Sequence, residues 1–405
     1  MPHFRLLGPW FVAKPKALQD KSEEEVRRIN EASQHYYEDP GRRGYWLNTP
    51  FSDPFAHWIL YRFGFLLSAV RPLPCHRILD FGCGPGWASV MLAQMGCEVV
   101  GMDIAPGAVD LGNQRADQTL NPAQRQRCTF CSFSGFEIPF PDGHFDVVLI
   151  QEAIHHLPNP RTLFREWVRV LGLHGELAFA EPGLEHSEAD ISVQERDKGI
   201  LEQDIELEQL YRTALDAGFR DLELLIPPVH PGHLMLPMSR ARWFLRGLSW
   251  LVPANFLRHA MVTGPIGIFG KSPYSNPSVF PRSHRAELQS AASACQVRSS
   301  ESFEISIRFK NISETVWLRE GHHGIGCVRP AASLLDAEKR LLTRDFARGD
   351  LPGDVPPGES VSLKMRLTAP ADPGSYVVRL DMVNEGITWF GDAGSRTMDV
   401  RLEVR

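Results

Sequence analysis

Apolar and polar positions follow two different rhythms along the chain, and the change falls between residues 272 and 284. Before it, short apolar runs alternate with stretches of helical period. Ile78, Leu79 and Phe81 form a run suited to a strand buried on both faces of a parallel sheet. Trp87 to Met95 has helical period and stops at Gly96, and Glu98 to Met102 reads as the next strand. Pro106 opens a helix to about Gln118. Cys128 to Ser132 is a third strand, and Ile138 to Ile150 is a turn running into a fourth. A helix over Thr162 to Val170 precedes a fifth strand, Glu176 to Ala180. Glu185 to Gln203 is charged and reads as a loop, Ile205 to Ala217 as a helix ended by Gly218, and Leu222 to Ile226 and Pro265 to Lys271 as two more strands. Upstream, Ser22 with Glu25 makes a capping box for a helix reaching Tyr37. A loop with Gly41 and Gly44 carries Tyr45 and Trp46. The helix Pro54 to Val70 is apolar nearly all round (Trp58, Ile59, Leu60, Phe63, Phe65, Leu66, Leu67), which predicts burial. Strands alternating with helices predict an α/β fold with a largely parallel, Rossmann-like sheet.

Ser272 to His284, rich in Pro and Ser, reads as a linker. Beyond it Phe303 to Phe309, Val361 to Leu367 and Tyr376 to Asp381 alternate with period two, separated by turns at Pro356-Pro357-Gly358 and Pro373-Gly374. This pattern predicts an all-β antiparallel sandwich over 285–405. The organisation expected is a helical segment at 1–74, an α/β domain at 75–271, a linker at 272–284 and the sandwich.

Composition adds little: of 405 residues 43% are hydrophobic and 23% charged, and the formal net charge of −6 does not suggest nucleic acid. Charge distribution adds more. From Leu224 through Ala286 there is no Asp or Glu, while Arg240, Arg242, Arg246, Arg258, Lys271, Arg282 and Arg285 occur. An insertion at 228–262 interleaves its four arginines with Leu, Met and Trp. It reads either as a helical subdomain packed on the core or as a cationic amphipathic lid for a phosphate-bearing or lipid-linked substrate or an anionic membrane surface. No run of about twenty apolar residues exists, and Leu6 to Ala13, interrupted by Gly8 and Pro9, is a poor signal peptide. Seven scattered cysteines fit a reducing cytoplasm. Cys128 and Cys131 form one C-x-x-C without a second pair or a nearby histidine, so no metal is expected.

The chemistry concentrates after the first strand, where Asp80, Gly82, Gly84 and Gly86 alternate, and Asp103 follows the second strand. Glycines let the backbone turn sharply and let a ligand approach it. The dinucleotide fingerprint would place its last glycine where Trp87 stands. The D-x-G-x-G-x-G turn with a second acid instead resembles the class I S-adenosyl-L-methionine (SAM) dependent methyltransferases of the small-molecule type. That resemblance implies a seventh strand closing the sheet antiparallel. It implies that the turn (Asp80, Gly82, Gly84, Gly86) packs on the methionine part of SAM, and that Asp103 accepts from the ribose hydroxyls. Ile138 to Asp146, IPFPDGHFD, is similar to the same family's D-A-x-x-L-P-F-P-D-x-x-F-D block. Ser134 and Gly135 stand where Asp-Ala is usual, so a family acid is missing and the Ser134 hydroxyl takes its place beside adenine. Ile104 and Gln151, at the ends of the second and fourth strands, complete the implied cofactor set. Gln151 to Leu157, QEAIHHL, is similar to the family's LHHL stretch. His155 and His156 there are base candidates or packing residues, with His155 first and Glu152 second, and Glu181 is expected at the pocket mouth. The residues 1–74, with the Tyr36, Tyr37, Tyr45 and Trp46 cluster, read as packing or as a flap over the site.

Asn311 to Trp317, PPGE, AP–PGSY and Glu385 to Phe390 resemble an immunoglobulin-like module found beside enzymes of bacterial cell-surface polysaccharide assembly. Together the resemblances imply a transferase methylating a saccharide or lipid-linked saccharide hydroxyl in polysaccharide biosynthesis; the cysteines and the cofactor place it in the cytoplasm, and the cationic insertion, read as a lid, places it in peripheral contact with the inner membrane face. Two alternatives stay open: C- or O-methylation of a lipid or quinone-like metabolite, and a non-catalytic glycan-binding protein with a decayed SAM domain.

Overall fold

A computed structural model describes residues 17–225, 264, 266–274, 276–290 and 293–405. The expectations for 228–262, including Arg240, Arg242, Arg246 and Arg258, and for Leu6 to Ala13, lie outside the described residues. The chain divides into two compact units. One comprises 1–72, 77–171 and 175–271; the other comprises 73–76, 172–174 and 272–405.

The first unit begins with α1 (Glu23–Gln34), where the Ser22 side chain and Glu25 form the capping box read from the sequence. A 3-10 turn at Pro40–Arg42 leads into α2 (Arg43–Asn48), so Tyr45 and Trp46 stand on a short helix, not a loop. Gly44 misled the reading: an exposed helical glycine costs only about 1 kcal/mol, which packing of Trp46 offsets. In α3 (Ala56–Val70) one face is buried, through Arg62, Phe63, Leu66 and Val70, and the rest is intermediate or exposed, so the expectation of all-round burial is corrected.

The sheet follows: β1 (Arg77–Phe81), α4 (Trp87–Gln94), β2 (Glu98–Asp103), α5 (Pro106–Thr119), α6 (Pro122–Arg125), β3 (Cys128–Ser132), β4 (Phe145–Gln151), α7 (Pro160–Val170) and β5 (Leu171–Ala180). Then come α8 (Asp190–Asp197), α9 (Leu207–Ala217), β6 (Asp221–Leu225) and β7 (Ile266–Gly270). The order is β3-β2-β1-β4-β5-β7-β6, with β7 antiparallel to both neighbours. Strand order reverses at β1, which puts a crevice at the carboxyl ends of β1 and β4, the place where open α/β sheets bind ligands. Leu163, Phe164, Trp167 and Val170 of α7 are buried at helical spacing against Phe81, Phe179 and Phe269 of the sheet. The 185–203 stretch is not a loop: α8 lies within it. Its only buried residues are Ser192 and Glu195, so no apolar stripe announced it.

The second unit is strand-rich: β8 (Ala286–Ser290), β9 (Ala294–Val297), β10 (Ser302–Asn311), β11 (Val328–Asp336), β12 (Leu341–Arg348), β13 (Ser360–Thr368), β14 (Gly374–Asn384), β15 (Thr388–Trp389) and β16 (Met398–Val404). One sheet has the order β13-β10-β8, the other β12-β11-β14-β16-β9 with β15 beside β14. Ile305, Ile307, Phe309, Met365 and Leu367 of the first share a core with Val378, Leu380, Met382, Val400 and Leu402 of the second, an arrangement compatible with a β-sandwich. The ladders are antiparallel except at one edge, where β9 runs parallel to β16. Asn311 is buried and spans the base of its turn, while Trp317 packs edge-on against Phe390 at 5.5 Å.

Candidate functional site

The turn after β1 is built by backbone that side chains disfavour. Gly82, Gly84 and Gly86 have φ of 70°, 51° and 71°. A Cβ on Gly84 would stand 2.9 Å from the Tyr37 hydroxyl, and one on Gly86 would run into the Phe130 ring. The turn is pinned to β2 from two directions. Gly82 and Cys83 donate their amides to the Met102 carbonyl at 2.8 and 3.1 Å. Gly84 donates its amide to Asp103 Oδ2 at 2.9 Å, and Ala105 donates to Oδ1 at 3.0 Å.

Asp103 is the last residue of β2 rather than the one beyond it. Burial raises its pKa above the ordinary value, and the amides of Ala105, Gly84 and Ile104 act the other way. Each of its oxygens keeps lone-pair capacity beyond the amide it already accepts. Asp80 lies beneath, accepting the Ser89 hydroxyl at the start of α4. Burial pushes it up to about 6, with Ser89 opposing and the Asp103 charge adding.

The other sequence-derived cofactor candidates line up along the strand ends. Ile104 follows Asp103, and its Cδ1 would stand 3.0 Å from a Cβ on Gly135, whose φ is 85°. Ser134 is exposed, and its hydroxyl accepts the Phe136 amide at 3.3 Å. It lines a pocket of about 550 Å³ with Lys21, Val26, Arg27, Phe136 and Asn159. Gln151 ends β4, and its Oε1 is buried without a hydrogen-bond partner. Asn30 Nδ2 on α1 is in the same condition, and a Cβ on Gly135 would collide with it. Asn30 gave no signal in the sequence beyond its place on the buried face of a capped helix.

The aromatic cluster closes on this turn. Tyr37 lies 5.0 Å from Tyr36 and 5.1 Å from Trp46, ring to ring. Burial, reinforced by the Asp103 charge, pushes the Tyr37 phenol well above its ordinary value. Arg115 of α5 ties the parts together: it donates to the Pro85 carbonyl in the turn at 2.8 Å and to the Trp46 carbonyl on α2 at 2.8 Å.

At the carboxyl ends of β4 and β5 the base candidates separate. Glu152 has φ 53°, keeps a half-exposed side chain, and accepts from Arg62 Nη1 at 2.9 Å. Arg62, 5% exposed on α3, also donates to the Glu181 carbonyl oxygen at 2.8 Å. An arginine in an apolar helix was the missed sign of this contact. His155 is buried, and its Nδ1 lies 2.8 Å from Glu181 Oε2. Burial disfavours its charged form, but the hydrogen bond to Glu181 and the charges of Glu181, Glu202 and Glu152 outweigh that and raise its pKa. Glu181 is not at a pocket mouth. It is fully buried and accepts the amides of Ala153, Ile154 and His155 at 2.8, 2.9 and 3.3 Å, because the turn after β4 wraps its carboxylate. His156 is half-buried and hydrogen-bonded to the Leu201 carbonyl oxygen; burial and the His155 charge lower it to about 4.

Residues 79–179 match the family described as a methyltransferase domain. The chain is 34% identical over 142 residues to 27-O-demethylrifamycin SV methyltransferase of Amycolatopsis mediterranei, covering 33% of this chain and 51% of that protein. It is 33% identical over 113 residues to demethylmenaquinone methyltransferase of Clavibacter sepedonicus, covering 28% and 44%. It is 36% identical over 106 residues to ubiquinone biosynthesis O-methyltransferase of Azorhizobium caulinodans, covering 26% and 40%. The chain thus spans about half the length, or less, of these relatives. The α/β unit carries a SAM-dependent methyltransferase domain. The crevice fits that cofactor: glycines where a side chain would intrude, an acid with lone pairs to offer, and the orphaned polar atoms of Gln151 and Asn30. Among the described residues no helix is long and apolar enough to cross a membrane.

Proposed function

We propose that the chain transfers the methyl group of SAM to a hydroxyl of a saccharide or lipid-linked saccharide used in cell-envelope polysaccharide synthesis. The observation that carries the transfer is the bond from Gly84 to Asp103, which holds the glycine turn and the ribose acid in one rigid piece. When bound, SAM supplies an already activated methyl, so the protein contributes position above all. Gly82, Gly84 and Gly86 would lie along the methionine part and Asp103 would accept from the ribose hydroxyls. Ile104, Ser134, Gly135 and Gln151 would border the adenine side. Asp80 would act from below by bracing the turn through Ser89.

A hydroxyl acceptor needs a base within hydrogen-bond reach. Accessibility reverses the order drawn from sequence: Glu152 has a half-exposed carboxylate, whereas His155 is sealed in with its Nδ1 on Glu181. Glu152 takes the proton in this reading, with Arg62 fixing its orientation.

The saccharide acceptor rests on the strand-rich second unit and its likeness to an immunoglobulin-like module, and the acid-free stretch of Leu224 to Ala286 favours an anionic partner such as a phosphate-linked carrier or a membrane surface. A second reading, methylation of a lipid or quinone-like metabolite, is favoured by the names of the menaquinone and ubiquinone relatives. Incubation with labelled SAM and fractionated envelope glycans, glycolipids and lipids tests the acceptor. Label in the glycan or glycolipid fraction is expected, and label confined to the lipid fraction overturns the saccharide reading. Calorimetry with SAM tests the domain itself: no binding would leave a non-catalytic glycan-binding protein.

A further inference from the structure

After β4 lies a cluster with no part in the methyl transfer proposed above. His155 and His156 follow β4, and Glu202 reaches them from the segment after α8. One donor atom from each lies within 4.8 Å of the others, and among the described residues this is the group of three that could hold an ion. We propose that His155, His156 and Glu202 form a binding site for a divalent transition cation of the zinc type.

The case rests on how the rings are held. A metal-binding imidazole nearly always gives its other N–H to a carboxylate or a backbone carbonyl, which fixes tautomer and orientation. Both histidines have this arrangement. His155 Nδ1 donates to Glu181 Oε2 at 2.8 Å, and His156 Nδ1 donates to the Leu201 carbonyl oxygen at 2.7 Å. Carboxylates and carbonyls only accept, so in the neutral rings both Nε2 atoms are left with lone pairs. His155 Nε2 then stands 3.8 Å from Glu202 Oε2. Ligands about 2 Å from one ion are roughly 3–3.5 Å apart; the His155–Glu202 gap is close to that, while His156 approaches Glu202 Oε1 through Nδ1 at 3.5 Å and must turn its ring to present Nε2.

The supporting residues are of the kind such sites have. Glu202 is oriented by the His186 ring, whose Nε2 donates to Oε2 at 2.9 Å. Glu181 is oriented by three backbone amides. Two buried carboxylates, Glu181 and Glu202, place negative charge beside the rings, which a dication balances once it has displaced any proton they hold. Two imidazoles and a carboxylate are a borderline N/O set, suited to zinc, cobalt(II) or iron(II) rather than calcium or magnesium. Three protein ligands also leave a position open for water or a ligand oxygen, as in catalytic rather than structural zinc sites. The proposal does not depend on the acceptor or on the base.

The test uses the full chain, stripped with a chelator and titrated with zinc and with cobalt(II) by calorimetry and visible absorption. One equivalent per chain is expected, with cobalt d–d bands and no thiolate charge-transfer band. Glu202→Gln and His156→Ala should each weaken binding by more than about 100-fold, and Glu181→Gln by about 10–100-fold, with circular dichroism unchanged. The half-buried ring of His156 keeps the test available should Glu202→Gln fail to fold. No binding at micromolar metal, a thiolate band pointing to the cysteines, or affinity within threefold of the parent in a folded His156→Ala variant overturns the site and leaves a hydrogen-bonded ion network. Because the readout is metal affinity and not turnover, failure here is distinct from failure of the methyl-transfer reading.

Discussion

Gly84 donates its amide to Asp103 at 2.9 Å, so the acid ending β2 is both a ligand candidate and a structural anchor of the turn after β1. The two residues lie nineteen positions apart in the sequence.

Asp103→Ala therefore removes a charge-assisted acceptor and loosens Gly84 at once. A loss of about 1.5–3 kcal/mol in SAM binding free energy is expected. Calorimetry on the folded variant checks it, and an unchanged dissociation constant takes Asp103 out of the site.

Glu152→Gln keeps an oxygen for Arg62 and removes the basic carboxylate. Turnover with a hydroxyl acceptor should fall by roughly 10²–10⁴-fold while SAM affinity holds. Turnover within a few-fold of the parent would mean that positioning alone carries the transfer.

Asp80 makes stability depend on pH in an unusual direction. Its folded value is raised from 3.8 to about 6, chiefly by burial, so the folded state holds this proton more tightly than the unfolded chain. The contribution is full below the unfolded value and is lost as pH rises through about 6. Asp80→Asn deletes that slope. Relative to the variant, the parent should lose about 2 kcal/mol of unfolding free energy between about pH 4 and pH 7. Parallel urea-unfolding curves at both pH values would assign Asp80 an ordinary carboxylate.

In the second unit, buried Asn311 donates from Nδ2 to the Thr315 and Val355 carbonyls, both at 2.8 Å, and accepts from the Ser313 amide and hydroxyl. Asn311→Ala strands these groups and should destabilise the unit by about 3 kcal/mol. A melting temperature within one degree of the parent would show that water replaces the side chain without loss.

What the sequence made legible was local. The capping box at Ser22 and Glu25, the glycine turn and the strands around it all follow from contacts a few residues long. Partners assembled from distant segments were opaque. Arg62 meets Glu152 ninety positions away, and Glu202 meets His155 across a stretch whose helix α8 buries only Ser192 and Glu195. A helix without an apolar stripe leaves no period to detect, and the approach of Glu202 to the two histidines stayed hidden with it. The parallel pairing of β9 with β16 was equally invisible, since alternation fixes which face a residue takes and not which neighbour its strand chooses.

Arg115 has a consequence for anyone who wishes to trim this protein. Its guanidinium donates at once to Pro85 in the turn, to the Trp46 carbonyl and to the Thr49 hydroxyl. A truncation beginning at residue 79, where the family match begins, would keep the glycines of the turn and both acids yet leave Arg115 without its Trp46 and Thr49 acceptors and remove Tyr37 from its place against Gly84. The smallest working fragment of the α/β unit thus begins well upstream of its recognisable motif, at α1 rather than β1.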